Sequence, residues 1–288
     1  MRHNLKSSSN SISGDVSTTF AQTMLYSLNF LRELVFSNKE KNEESFEIIE
    51  DDLYVFWGTK DWTKFSPARI ACDGFLINYL KNNFSNEMPI NILDVGCGKG
   101  HYSTMIRNLG YQVKYTGIDI TPREEWSELE DRNTRFLSLA LGEDRLRENV
   151  PKIGNNIDLI FSQSCLEHIE NDISALIELT TEFPNSKQIH LIPGVISFLN
   201  YFKHGFRRYS QRNFTHIANY LNVNYQLKAI GGHEMVRSYF PFFYKNYKRR
   251  HKFDFFGLYK MPISLKSIIK GSKTTRGQYP VFYSLEIT

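Results

Sequence analysis

Three glycines and two acids in this chain are spaced to hold a nucleoside-bearing ligand. The run Asp94-Val95-Gly96-Cys97-Gly98-Lys99-Gly100 follows a short β-rich segment and precedes a helical pattern. Glycine accepts positive φ and lets a ligand approach the backbone closely. The spacing G-x-G-x-G differs from the G-x-G-x-x-G of dinucleotide sites. Asp94, just before the turn, would repel a pyrophosphate but suits a cationic ligand or its water shell. A second acid, Asp119, ends the run Tyr115-Thr116-Gly117-Ile118-Asp119, about 20 residues after the turn, where a carboxylate can accept from both ribose hydroxyls.

The surrounding elements must present these residues at one edge of a sheet. β-Rich runs occur at 90–95, 112–119, 134–139, 157–162, 187–192, 225–230 and 281–287. Helical patterns lie between most of them, at 100–109, 123–131, 143–150, 166–183 and 211–221. Such alternation predicts an α/β fold with a largely parallel sheet and helices on both faces. It breaks before the last run, which suits a final antiparallel strand. Upstream, residues 1–18 are rich in Ser, Asn and Thr and read as a disordered arm. Residues 19–84 read as a helical extension, with apolar residues at helical spacing over 20–36, an aromatic loop near Trp57 and an amphipathic helix over 67–82.

Composition narrows the class. Three cysteines without C-x-x-C pairing speak against a disulfide framework or a zinc site and suit a reducing, cytoplasmic setting. No apolar stretch reaches the roughly 18 residues of a membrane span, and the first residues lack the apolar core of a secretory signal. The formal charge of +4 is unevenly placed: residues 233–276 carry eleven Lys/Arg against two Asp/Glu, interleaved with ten aromatics. That segment reads as an insertion before the last strand. Its chemistry suits stacking on sugars or bases beside phosphate, or contact with anionic headgroups at a membrane surface.

With these pieces in order, the sequence resembles the class I S-adenosylmethionine-dependent methyltransferases, of a bacterial small-molecule or glycan type. The resemblance is carried by Ile92-Leu93-Asp94-Val95-Gly96-Cys97-Gly98-Lys99-Gly100, by Gly117-Ile118-Asp119-Ile120, and by Ile157-Asp158-Leu159-Ile160-Phe161-Ser162-Gln163-Ser164-Cys165-Leu166-Glu167-His168-Ile169. It implies a Rossmann-like seven-stranded sheet, mostly parallel with the last strand antiparallel, over 85–288. It also implies S-adenosylmethionine as cofactor. Asp94, Gly96 and Gly98 would surround its methionyl end, Asp119 would meet its ribose and Gln163 its methionine moiety, with Cys97, Gly100, Ile120 and Leu141 as further cofactor-binding residues. Where many members carry an Asp for the adenine amine, this chain has Ala140-Leu141-Gly142-Glu143, and Glu143 or backbone groups are the substitutes.

The acceptor side follows from position and from the same resemblance. His168 and His204 are the candidate bases for a hydroxyl acceptor, which must lose its proton. His101, Arg208 and Tyr209 are further candidates facing the acceptor. Glu167, His168 and His204 match part of the metal-binding pattern of small-RNA 2′-O-methyltransferases, but Ser164 stands at the first glutamate position, so no metal is expected. The expected reaction is O-methylation of a small-molecule or glycan acceptor, as in cell-surface polysaccharide synthesis. A nucleic-acid partner, with the 233–276 segment binding RNA, is the second reading. A non-catalytic scaffold is the third.

Overall fold

The computed structural model describes residues 65–143, 145–199, 205–206, 208–232, 234–237, 265–272 and 280–287, with a few positions between 24 and 45. The expected arm, the Trp57 loop, His204 and most of the 233–276 insertion lie outside these residues.

Eight strands form one sheet: β1 (Glu44–Ser45), β2 (Ile90–Val95), β3 (Val113–Asp119), β4 (Thr134–Ser138), β5 (Leu159–Gln163), β6 (Lys187–Pro193), β7 (Tyr225–Ile230) and β8 (Phe282–Ile287). Their order is β1-β7-β8-β6-β5-β2-β3-β4. β8 runs antiparallel to both β6 and β7, and every other pairing is parallel. The seven expected strands are therefore present with the expected reversal. The two-residue β1 adds an eighth at the edge, opposite Lys228 and Ala229.

Alternation along the central strands explains how both faces are covered. Ile92, Leu159 and Phe161 pack into a core with α1 (Pro67–Asn83), α2 (His101–Asn108) and α7 (Leu265–Ser272), α3 being the short helix Trp126–Leu129. Leu93, Val95 and Ile160 point the other way, into a core with α4 (Leu146–Ile153) and α5 (Asp172–Glu182). A third cluster joins α6 (Gln211–Leu221) to β7 and β8 through Phe214, Ile217, Leu227 and Leu285. α1 starts at Pro67, which has no N–H to lose at the first helical position, and the Ser66 hydroxyl accepts from Arg69 N at 3.2 Å.

Several boundaries depart from the sequence reading, among them α4, expected over 143–150 and found over Leu146–Ile153. The helix expected over 166–183 is broken into a single 3₁₀ turn, Leu166–His168, followed by α5. Ser164 adopts φ 50° and Ile169 is extended, so the chain turns sharply off β5 before helix resumes. The strand expected over 157–162 runs instead from Leu159 to Gln163, because Asp158 turns its carboxylate onto the N–H and side-chain amide of Asn91. The helix expected over 123–131 shortens to α3, and Asp131 forms a turn back to Thr134.

Candidate active site

The carboxyl ends of β2, β3, β4 and β5 converge on a cleft of about 540 Å³. Ligands of open α/β sheets sit at this edge. A second groove of about 430 Å³, lined by Lys114, Arg132 and Arg135, lies at the amino ends of the strands, away from the glycine turn. The first is therefore the candidate site.

The turn is shaped by three positive φ values, 73° at Gly96, 52° at Gly98 and 76° at Gly100. Each glycine answers a different demand. A Cβ on Gly96 would fall 2.4 Å from Cys165 Sγ, and one on Gly100 would fall 2.6 Å from the Phe136 ring. A Cβ on Gly98 would meet nothing within 4 Å, so that residue borders open space. The N–H groups of Gly96 and Cys97 both donate to Ile118 O, and Gly98 N–H donates to Asp119 Oδ2 at 2.9 Å. Behind the turn, Trp126 Nε1 donates to Gly98 O at 2.7 Å and its ring stacks on Phe136, centroids 5.2 Å apart. Trp126 and Phe136 were not singled out from the sequence; an aromatic shortly after Asp119 has no motif that marks it.

Of the cofactor residues expected from the sequence, Gly96, Asp119, Ile120 and Leu141 line the cleft together with Glu143. Asp119 also accepts from Thr121 N at 3.0 Å, and its oxygens keep further lone pairs for a ligand. Ile120 is 71% exposed at the cleft mouth, an apolar surface that a bound nucleoside would cover. Glu143 is paired with Arg145 at 3.1 Å. Asp94 takes a different position: it is buried, and its carboxylate accepts the Tyr115 hydroxyl proton. Burial pushes its carboxyl up to about 7, opposed by the Tyr115 hydrogen bond. Cys97 is buried behind the turn, where burial raises its thiol and keeps it neutral.

Gln163 ends β5 and is buried, and its Oε1 has no hydrogen-bond partner among the described residues. Such an atom calls for a donor from a ligand, which an ammonium would provide. Beside it lies a polar network that sequence reasoning missed. Tyr102 on α2 donates its hydroxyl to Asp73 Oδ1 at 2.7 Å, Arg69 stands 3.9 Å from the same oxygen, and Arg69 sits over the Tyr102 ring. Arg69 and Asp73, one turn apart in a helix otherwise largely apolar, were the available signal.

The acceptor-side candidates separate. His168 lines the cleft with Ser164, Cys165, Ile169 and Phe206. His101 opens α2 and stacks on Phe65, centroids 6.2 Å apart. Tyr209 is buried: its hydroxyl donates to Asp172 Oδ2 at 2.5 Å and its ring stacks on Phe214. That geometry gives it a packing role. Arg208 is half-buried and its charge acts on Glu167. His190 on β6 is fully buried between Ser162 and Gln188, and burial pushes it down to about 3. It stays neutral.

Residues 93–182, which span β2 to the end of α5, match the family model described as a methyltransferase domain. The chain carries a methyltransferase domain. Solved structures place the domain's fold in the same group. The plantazolicin methyltransferase BamL, in complex with a triazolic desmethylPZN analog and SAH, is 16% identical, with 83% of this chain and 95% of that chain covered and a TM-score of 0.51. A Haemonchus contortus phosphoethanolamine N-methyltransferase 2 with S-adenosylhomocysteine is 11% identical over 83% of this chain and 57% of its own, with a TM-score of 0.50. At such identities the likeness is one of fold. No helix among the described residues is long and apolar enough to cross a membrane.

Proposed function

We propose that this methyltransferase domain binds S-adenosylmethionine in the cleft between Gly96 and Leu141 and methylates a hydroxyl of a small-molecule or glycan acceptor. The observation that carries the reading is the Gly98–Asp119 arrangement: a turn open to a ligand at Gly98, tied to a carboxylate at the end of β3.

The donor set fits the cofactor. Asp119 would accept from the ribose hydroxyls, with Ile120 and Leu141 against the nucleoside. The orphaned Gln163 Oε1 would accept from the methionine ammonium. Arg69, on the same side of the sheet, offers a cation to the methionine carboxylate. Bound there, S-adenosylmethionine supplies an electrophilic methyl group. The protein's task is then to align the acceptor for in-line attack, exclude water and take the acceptor's proton. His168 on the cleft wall and His204, outside the described residues, remain the proposed acceptor-side bases, with His101 and Arg208 as further acceptor-side candidates.

The test has two stages. Calorimetry with S-adenosylmethionine is expected to show binding; its absence at millimolar cofactor would favour a scaffold. Methyl-labelled cofactor is then offered with nucleotide sugars, glycolipids, hydroxylated small molecules and RNA. Label in a base-stable product from a hydroxyl acceptor is expected, and label in RNA alone would replace the acceptor class. His168→Ala is expected to slow that labelling without abolishing cofactor binding.

A further inference from the structure

The second groove, at the amino ends of the strands, gathers cations and no acid. Its floor is one face of the sheet. Lys114 on β3 pairs in register with Asn91 on β2, and Thr116 with Arg135 on β4. Alternation puts Lys114 and Thr116 on the same side of β3, so all four residues share that face. One wall is the turn before β4, which carries Arg132 and Asn133. The other is the connection from α4 to β5, where Gly154 at φ 100° ends the helix and Asn155 and Asn156 follow.

Of the twelve residues that line the groove, three are cationic, four are asparagines and none is acidic. Outside 233–276 the chain has 24 Lys/Arg against 29 Asp/Glu, so an all-cationic lining runs against the local composition. Lys114 and Arg132 are exposed, and neither makes an ion pair or a side-chain hydrogen bond among the described residues. Arg135 donates to Lys152 O in the last turn of α4, which fixes its guanidinium against the helix end without neutralising it. The acids that adjoin these segments in sequence are turned to other partners. Asp158 Oδ2 accepts from the backbone and side-chain N–H of Asn91 at 2.7 and 2.8 Å, and Asp131 stands 3.6 Å from Arg107.

Three like charges around one groove repel, and a multiply charged anion removes that repulsion. A lone carboxylate would answer one of them. Two linked phosphates carry enough charge for all three, and their oxygens accept from ammonium, guanidinium and amide N–H groups alike. A volume of about 430 Å³ is that of a small-molecule site. We propose that this groove binds the diphosphate group of a small molecule, either free pyrophosphate or a nucleoside diphosphate. Lys114 and Asp119 stand at opposite ends of β3, roughly 17 Å apart along the strand, so the site is separate from the cleft and does not rest on the cofactor reading.

The full chain is titrated calorimetrically at low ionic strength with sodium pyrophosphate and, separately, with ADP. The same titrations are run on Arg132→Glu and on the double variant Lys114→Ala/Arg132→Ala, with folding checked by circular dichroism. Both side chains are exposed, so these variants are expected to fold. Lys248→Ala/Arg249→Ala, in the basic segment, is the control. The wild type and the control are expected to bind pyrophosphate with a Kd of about 1 mM or tighter, and the groove variants at least about tenfold more weakly. Groove-dependent binding that is tighter for ADP assigns a nucleoside diphosphate; binding of pyrophosphate alone assigns the free anion. Binding of neither ligand by the wild type at about 10 mM, or binding that the groove variants leave unchanged, overturns the proposal. An equal or greater loss in the control overturns it too.

Discussion

Gly98 N–H donates to Asp119 Oδ2 across 2.9 Å, joining the tip of the glycine turn to the end of the neighbouring strand. One carboxylate thus fixes the backbone that borders the ligand and presents its remaining lone pairs to the same space. The turn and the acid are separated by a strand and a helix in sequence, yet form a single binding element. Trp126, which holds Gly98 O from behind, completes it.

The turn's glycines are expected to fail differently. Gly96→Ala brings a methyl against Cys165 at a left-handed φ, so strain and overlap add; a loss of about 2–4 kcal/mol is expected in denaturant unfolding. Gly98→Ala meets no atom and should cost only about 1–2 kcal/mol from its backbone. Its effect should appear instead as at least about tenfold weaker S-adenosylhomocysteine binding. Equal effects of the two variants on stability would remove this distinction.

The polar network between α1 and α2 should be a stability element. Asp73→Ala leaves the buried Tyr102 hydroxyl without its acceptor and the Arg69 guanidinium without its partner. A loss of about 1–3 kcal/mol is expected by chemical denaturation. Tyr102→Phe removes the donor but not the packing and should cost less. The reverse ranking would mean that the Tyr102 hydroxyl contributes by a route other than its bond to Asp73.

Stability without ligand should depend on pH in a definite direction. Asp94 and Glu167 are both raised to about 7 in the folded chain, so between their unfolded values and 7 the folded state holds protons that the unfolded state has lost. Stability therefore falls as pH rises through this window, by up to about 1.4 kcal/mol per pH unit for each group. His190 acts oppositely: held neutral down to about 3, it lowers stability as pH drops below its unfolded value near 6.5. Asp94→Asn is expected to flatten the rise in stability seen on acidification from pH 8 to 6.5. An unchanged slope in this variant would show that Asp94 titrates normally.

Much of the sheet was legible because its strands are short, apolar and separated by helices. β2 and β7 have the expected limits, and Ile92 and Leu93 face opposite cores as a period of two requires. The glycine turn and Asp119 were legible because their chemistry is local. What depended on distant contacts was not. The break between His168 and Asp172 lies in a run that reads as helix; it is made by the extended backbone at Ile169, which composition does not reveal. Gly142 approaches Asn171 so closely that a Cβ would fall 2.8 Å from its carbonyl, and nothing in either segment announces the other. Tyr209 looked like an acceptor-side residue because of its position, but its hydroxyl is taken by Asp172, 37 residues earlier. Glu167 drew notice only as a partial metal ligand, since burial and the approach of Gly205 are visible only in three dimensions.

The central claim is that the cleft between Gly96 and Leu141 is a cofactor site anchored by Asp119. The most direct measurement is a calorimetric titration of the wild type and Asp119→Ala with S-adenosylhomocysteine, with folding of both checked by circular dichroism. The account predicts binding by the wild type and a loss of about 100-fold in the variant, equivalent to about 3 kcal/mol. No binding by the wild type at millimolar ligand, or an affinity that the substitution leaves unchanged, would contradict it.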